Sequence, residues 1–354
     1  MYKKYYILII IVFCIFLFSC KEDSYKYIPK PFSAILPIYI DTAKSIGPLT
    51  SPFGNPITYE GIELGRKLFY DTRLSGNNSI SCANCHQQQF AFGDNKQFST
   101  GFNTTLTSRN SPQVFNAAWD KDFFWDGRRK SLESQAHDPI TSPGEMNGNW
   151  NSIIEQLQND NRYPYMFYQA FGSGIIDSNM ILKAIAQFER SMVSFNSKFD
   201  KYNLNMDSSV LTISELRGLE IYLRKGTCNS CHTLPLGRIN HFANIGLEKG
   251  ISDSGLYNIT HLNEDIGKFK TPSIRNSSFT PPYMHNGKFK TMREVINFYN
   301  NDINNNHSNI DPHLRPLFSN KGSLSNQDIE DLLAFIKTLD DYSFITNPAY
   351  SNPR

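Results

Sequence analysis

The sequence predicts a mainly α-helical fold in two domains, with long loops and little β-structure, and three observations lead there. A Cys-x-x-Cys-His motif occurs twice, at Cys82–His86 and at Cys228–His232, about a domain's length apart. Apolar residues recur at helical spacing behind capping patterns, as at Thr212/Glu215 and Ser325/Asp328. Between these stretches Gly, Pro and Asn abound and strand alternation is scarce. Two cysteines three positions apart reach the two vinyl groups of one haem as thioethers, and the adjoining histidine turns its imidazole to the iron. Cys82, Cys85 and His86 thus read as the holders of one covalently bound haem c, and Cys228, Cys231 and His232 of a second. The domains are accordingly cytochrome c-like. A zinc knuckle is the competing reading of one such motif, but no cysteine beyond these four remains in the folded region to complete a thiolate-rich site.

The start of the chain reads as an export signal, Met1–Cys20. Lys3 and Lys4 precede an unbroken apolar run, Ile7 to Phe18, too short to span a bilayer comfortably. Leu17-Phe18-Ser19-Cys20 resembles the lipobox of bacterial lipoproteins, in which the cysteine is lipidated and becomes the new N-terminus. Phe18 departs from the small residue usual there, so plain cleavage or an uncleaved anchor are the alternatives. Lys21-Glu22-Asp23 resembles the acidic tag of some surface-exposed lipoproteins. The expected location is the periplasm or cell envelope, with a lipid anchor in a membrane. Cys14 leaves with the signal, so no pair is left for a disulfide. The formal charge of +2 falls to zero once Lys3 and Lys4 are removed, which argues against nucleic acid as a partner.

Residues 21–49, with Pro29, Pro31 and Pro37, read as a tether. The first haem domain is expected over 50–205. Ile62, Leu64, Leu68 and Phe69 predict a short amphipathic helix over Gly61–Tyr70. Ser178 is a candidate cap for a helix carrying Ile181, Leu182, Ile185, Phe188 and Met192 on its core face. The polar run Asp200–Ser209 reads as the domain boundary. The second domain, 206–345, opens on the Thr212/Glu215 capping box, with Leu216, Leu219 and Leu223 leading toward the second motif. It closes on the helix from Ser325, carrying Ile329, Leu332, Leu333, Ile336 and Leu339, and a tail follows over 346–354.

Leu64-Gly65-Arg66-Lys67-Leu68-Phe69-Tyr70-Asp71-Thr72-Arg73-Leu74-Ser75, the first haem motif, Arg109-Asn110-Ser111-Pro112 and Phe124-Trp125-Asp126-Gly127-Arg128 together resemble the bacterial diheme cytochrome c peroxidases and the related MauG-type enzymes. The likeness runs from about Pro52 to Leu339. Peroxide reduction needs an open iron position, a group that moves a proton between the peroxide oxygens, and two electrons. The resemblance implies that Glu145 is the acid and base over the first haem, with Gln135 and Pro139 in the same distal pocket. It implies that Trp125 lies between the haems and carries electrons or holes, which an indole does more readily than Leu or Phe. It also implies Ca²⁺ between the domains, held by the Asn110 side chain and the carbonyls of Thr280 and Pro282, oxygen donors suited to that hard cation. Homodimers occur among the resembling peroxidases.

Two positions depart from the usual pattern. Peroxidases needing reductive activation have a histidine, downstream of the first haem histidine, where this chain has Phe102, and no histidine occurs between Gln87 and Ala136. The first haem is therefore expected to be open or water-bound when fully oxidised. In the segment after His285, where typical peroxidases place a methionine as far ligand of the second haem, stands Tyr299, as in the MauG type. Met284, Met292 and His285 are rival ligands. A phenolate would stabilise ferric iron more than a thioether does. His137, His241, His261, His307 and His313 read as surface or loop histidines. The first functional expectation is an exported peroxidase reducing hydrogen peroxide with electrons from a small cytochrome c or copper protein, entering at the C-terminal haem. The alternatives are a MauG-like oxidase acting on a partner protein and a non-catalytic diheme electron carrier.

Overall fold

The computed structural model describes residues 27–34, 47–49, 51–205, 208–304, 306–319 and 321–353. The signal segment, Cys20, and most of the predicted tether lie outside the described residues. Of the parts of that tether which are described, 27–34 is laid along the first domain. Pro31 bridges Thr58, the Phe32 N–H donates to the Ile57 carbonyl at 3.0 Å and the Tyr59 N–H to the Lys30 carbonyl at 2.9 Å. No helix among the described residues is long and apolar enough to cross a membrane.

The first half holds α1 (Tyr59–Phe69), α2 (Leu132–Thr141), α3 (Trp150–Gln158), α4 (Tyr163–Phe171) and α5 (Ser178–Ser191). A connecting helix, α6 (Lys198–Asn205), leads to α7 (Ile213–Glu220), α8 (Met292–Asn297), α9 (Asn326–Lys337) and α10 (Tyr342–Ile345). The strand content among the described residues is one antiparallel pair, Phe242–Ala243 against Phe269–Lys270, and isolated bridges. The fold is mainly α, as the scarcity of strand patterns predicts.

Each half is built on one crossing of two helices. In the first half α1 crosses α5 at Gly65, where an added Cβ would stand 1.9 Å from the Ala184 carbonyl oxygen. In the second α7 crosses α9 at Gly218, where it would stand 2.0 Å from the Asp331 carbonyl oxygen. Glycine is what lets the two backbones approach so closely. Beside each crossing an aromatic pair fills the core: Phe69 with Phe188, centroids 5.3 Å apart, and Tyr222 with Phe335, 5.2 Å apart. All four rings are buried, and burying such a ring is worth about 1.5–3 kcal/mol.

Local signals account for most of the helix ends. The Thr212/Glu215 and Ser325/Asp328 capping boxes are both formed. At α5 the cap falls one residue earlier than expected: Asp177 accepts from the Met180 N–H at 2.8 Å, and Ser178 is the first helical residue. Asp and Ser are near-equal caps, so sequence alone did not rank them. The polar run expected at the domain boundary begins inside α6. Asp200 is buried, accepts from the Ser197 N–H at 2.8 Å and pairs with the fully buried Arg275. An ion pair with a residue of the second half holds Asp200 inside, while Lys201 beside it is exposed.

The C-terminal residues return to the first half. Phe344 of α10 is buried against Phe92 and Phe115, at 5.6 Å each, and Tyr350 packs on Phe188 and Phe92. The Tyr350 hydroxyl donates to the Ser191 carbonyl at 2.9 Å. The segment expected as a tail thus completes the first core.

Replacing Gly65 with Ala should lower the unfolding free energy of the haem-loaded protein by about 1–3 kcal/mol in denaturant titrations, as overpacking does. Gly54→Ala, whose added Cβ meets nothing within 4 Å, should stay within about 0.5 kcal/mol.

Candidate functional site

The first Cys-x-x-Cys-His motif sits in a helical turn, Cys82–Cys85, whose start is held by Ser81: its N–H donates to the Asn84 side-chain oxygen at 2.9 Å. His86 is fixed by its own ring. Nδ1–H donates to the Phe92 carbonyl at 2.9 Å, so the Nε2 lone pair is left for a metal. In the second motif the His232 Nδ1–H reaches the Pro272 carbonyl at 3.0 Å and the Gly237 carbonyl at 3.3 Å. Burial lowers the pKa of both histidines and keeps them neutral, the form that ligates. Burial also pushes the Cys228 thiol up to about 12 and the Cys82 thiol higher.

Each motif opens on a largely apolar cavity, of 1630 Å³ at the first motif and 1760 Å³ at the second, mouths included. Size, lining and ligand set fit one haem in each. Gln135, Pro139 and Glu145 line the first cavity with Cys82, Cys85 and His86. Tyr299, Met284, Met292 and His285 line the second with Cys228, Cys231 and His232. The predicted distal residues are therefore brought together, and so are all the rival ligands of the second haem.

A repeat that sequence reading missed explains this arrangement. At one constant offset along the chain, Pro112 matches Pro272, Asn116 matches Asn276, Trp125 matches His285, Gly127 matches Gly287 and Ser131 matches Thr291. The matched residues behave alike. Asn116 and Asn276 have φ of 51° and 56°, and Gly127 and Gly287 have φ of 69° and 61°. Ser131 caps α2 and Thr291 caps α8, each by a capping box. Leu132, Gln135, Ala136 and Pro139 of α2 face the first cavity, and Met292, Val295, Ile296 and Tyr299 face the second. Tyr299 therefore occupies in the second half the place of Pro139 in the first. It lies where α8 passes into a π-turn, Phe298–Asp302, and burial raises its phenol well above the usual range. The glycines and caps at equal separation were the readable signal.

Trp125 lines both cavities. Its Nε1–H donates to the Asn110 carbonyl at 2.8 Å, its own carbonyl accepts from Lys270 at 2.8 Å, and its ring meets His285 edge-on at 6.4 Å. His285 is stacked on Phe269 at 3.6 Å, and burial takes its pKa down to about 4. Asn110, Thr280 and Pro282 all line the second cavity. The Asn110 Nδ2 donates to the Lys96 and Gln97 carbonyls at 2.9 and 3.4 Å, which orients its Oδ1 as the end left to accept.

Glu145 owes its place to glycine. A Cβ on Gly101 would lie 2.1 Å from the Gly144 carbonyl oxygen, and the Phe102 N–H donates to the Glu145 carbonyl at 2.6 Å. The Phe102 ring packs on the core around Leu74, Ile140 and Met146. Burial raises the Glu145 pKa; Arg128 opposes and Asp138 adds to the shift. Among the histidines read as peripheral, His241 and His313 share the buried Asp311 carboxylate at 2.5 and 2.8 Å. Asp120 between the halves pairs with Arg238 at 2.7 Å and Lys270 at 2.8 Å; burial raises its pKa, and these two cations more than offset that.

Two c-type haem cavities meeting at one indole define a two-centre haem oxidoreductase. The chain belongs to the di-haem cytochrome c peroxidase family, whose model matches residues 59–209, and it carries two haem c groups. It is 36% identical over 326 residues to the cytochrome-c peroxidase IdrP1 of Pseudomonas sp. (strain SCT), covering 82% of this chain and 84% of that one. It is 34% identical over 290 residues to the methylamine utilization protein MauG of Methylorubrum extorquens, covering 81% and 80%. Among solved structures it matches a MauG-like protein associated with microbial copper homeostasis, with TM-score 0.79 and 33% identity over 88% of this chain and 97% of that one.

Replacing Cys228 and Cys231 together with Ala should give a protein carrying one covalent haem instead of two, read by intact-mass spectrometry.

Proposed function

We propose that this protein reduces hydrogen peroxide to water, with electrons from a small cytochrome c or copper protein entering at the C-terminal haem and passing by way of Trp125 to the N-terminal haem. The observation that carries this reading is the position of Trp125 on the wall shared by both cavities. The N-terminal haem, held by Cys82, Cys85 and His86, supplies an iron position for peroxide and a store of electrons. Glu145 would take the proton of one peroxide oxygen and give it to the other, so that H₂O₂, two electrons and two protons become two waters. Its burial supports this role, because a carboxyl lifted above its ordinary range gives and takes protons nearer neutrality. Gln135 would orient the peroxide from α2, and the Pro139 ring keeps the same wall apolar.

Asn110, Thr280 and Pro282 would hold calcium between the halves. Its oxygen ligands would fix the carbonyl on which the Trp125 Nε1–H rests. We also propose export to the cell envelope and a lipid anchor at Cys20.

A second reading, oxidation of a partner protein by the same centre, is favoured by Phe102 and Tyr299. Neither a histidine at 102 nor a thioether at 299 is present to give the resting and electron-receiving states of the usual peroxidases. Steady oxidation of reduced cytochrome c by peroxide distinguishes the two: brisk turnover supports the first, and its absence the second.

Glu145→Gln should cut peroxide turnover at least about 10²-fold with both haems still attached; undiminished turnover would refute the assignment. As the base must be ionised, kcat/KM should fall as pH drops through the raised Glu145 pKa, and this acidic limb should vanish in Glu145→Gln. Trp125→Phe should slow electron transfer between the haems in stopped-flow reduction while leaving haem content unchanged.

A further inference from the structure

Glu189 is a buried carboxyl that the proposed reaction leaves unused. It stands one turn after Ile185 on α5, and both residues line the first haem cavity. The residue is 4% exposed, and its Oε2 is fully buried with no hydrogen-bond partner. The two charged groups that act on it, Arg190 and Glu133, are paired with each other, and the other charges of the surrounding elements have partners of their own. On its own helix Arg190 holds both oxygens of Glu133 of α2 at 2.8 Å. On α2, Asp138 takes Arg128 and Arg129. On α1, Arg66 donates to the Ser351 carbonyl and Lys67 lies over the Tyr163 ring. Beyond the 117–119 turn Asp120 is shared by Arg238 and Lys270. Across the cavity Glu145 feels Arg128 and Asp138, and the cavity-side neighbour of Glu189 is the thioether cysteine Cys82.

A carboxylate with no counter-charge in such a place costs several kcal/mol, so the group is stable there only when it holds a proton or when a positive charge lies beside it. Apart from its propionates, the iron–porphyrin core of a ferric haem bound by a neutral histidine carries one positive charge, and that of a ferrous one carries none. The cavity therefore offers Glu189 its missing counter-charge in one oxidation state and withdraws it in the other.

We propose that Glu189 is a proton-binding site coupled to the redox state of the first haem. When that haem gains one electron from the donor protein, the Glu189 carboxylate binds one proton from solvent and becomes the neutral acid. When the haem gives the electron up, the proton leaves. Iron goes from ferric to ferrous, one O–H bond forms, and the charge within the cavity stays constant. Burial brings the Glu189 pKa up to about 8, opposed by Arg190 and aided by Glu133. This inference rests on the first haem occupying the cavity at Cys82, Cys85 and His86.

Spectroelectrochemistry of the diheme protein tests it, with the haem count first established by mass spectrometry, so that a missing first haem would refute the haem reading itself. Between about pH 6 and 9 the midpoint potential of the first haem should fall with pH, approaching ~59 mV per tenfold change in proton activity for one electron. Glu189→Gln should flatten that slope and leave the second haem unchanged, whereas Glu145→Gln should keep it. A slope retained in Glu189→Gln, or lost in Glu145→Gln, would overturn the proposal. Should Glu189→Gln fail to fold, the reduced-minus-oxidised infrared difference spectrum of the unsubstituted protein decides. A carboxylic-acid carbonyl band gained on reduction at pH 8 supports the proposal, and its absence overturns it.

Discussion

A backbone carbonyl at the ring nitrogen of each motif histidine is the interaction on which both sites depend. A c-type haem can be tethered by any two cysteines at the right spacing, but the iron is met squarely only if the imidazole is held in one tautomer and one rotation. For His86 the holder is the Phe92 carbonyl, and Phe92 is placed by core packing: its ring is fully buried among Phe69, Phe344 and Tyr350. Ala91 and Phe92 stand at φ of 49° and 58°, a left-handed conformation that costs a non-glycine residue about 1–2 kcal/mol. Burial of the phenyl ring offsets that cost. The C-terminal residues that close this core are therefore part of what aims the first histidine, though they come from the far end of the chain.

The two cavities are held in register by charge pairs that cross between the halves. Arg109 binds Asp253 through two hydrogen bonds of 2.6 and 2.8 Å, and also Asp126 beside Trp125 at 2.5 Å. Asp120 takes Arg238 and Lys270, and the Lys270 N–H donates to the Trp125 carbonyl. Buried or half-buried pairs of this kind gain little net stability, because desolvation consumes most of the attraction, but they are costly to break one partner at a time. Their value here is geometric. Trp125 is gripped twice, through its ring Nε1 and through its backbone carbonyl, on the wall common to both cavities.

The matched positions of the internal repeat give the halves one plan and two chemistries. The same loop presents Trp125 in one half and His285 in the other, and the two rings meet edge-on. The same helical position presents Pro139 to the first cavity and Tyr299 to the second. Proline offers no donor to a metal, and a phenol does. At that position the first cavity has no protein donor and the second has a phenol oxygen, while Glu145 reaches the first from a loop of the same half.

The covalent chemistry and the helices were legible in the sequence for a simple reason. Thioether spacing, capping boxes and apolar period are local: Cys82–His86, Thr212/Glu215 and Ile181–Met192 carry their meaning within a few turns of chain. What only the tertiary structure decided are relations between distant residues. Asp200 reads as a polar residue at a domain boundary, and Arg275 reaches it from the second half; the segment after Ile345 reads as a tail, and Tyr350 packs on the core of the first half; no local pattern marks Glu189. That it lies unpartnered in a haem cavity, and that Trp125 stands between two of them, depend on which faces the packing of α1 on α5 and of α7 on α9 turn inward, a choice made by long-range burial and not by any short stretch of chain.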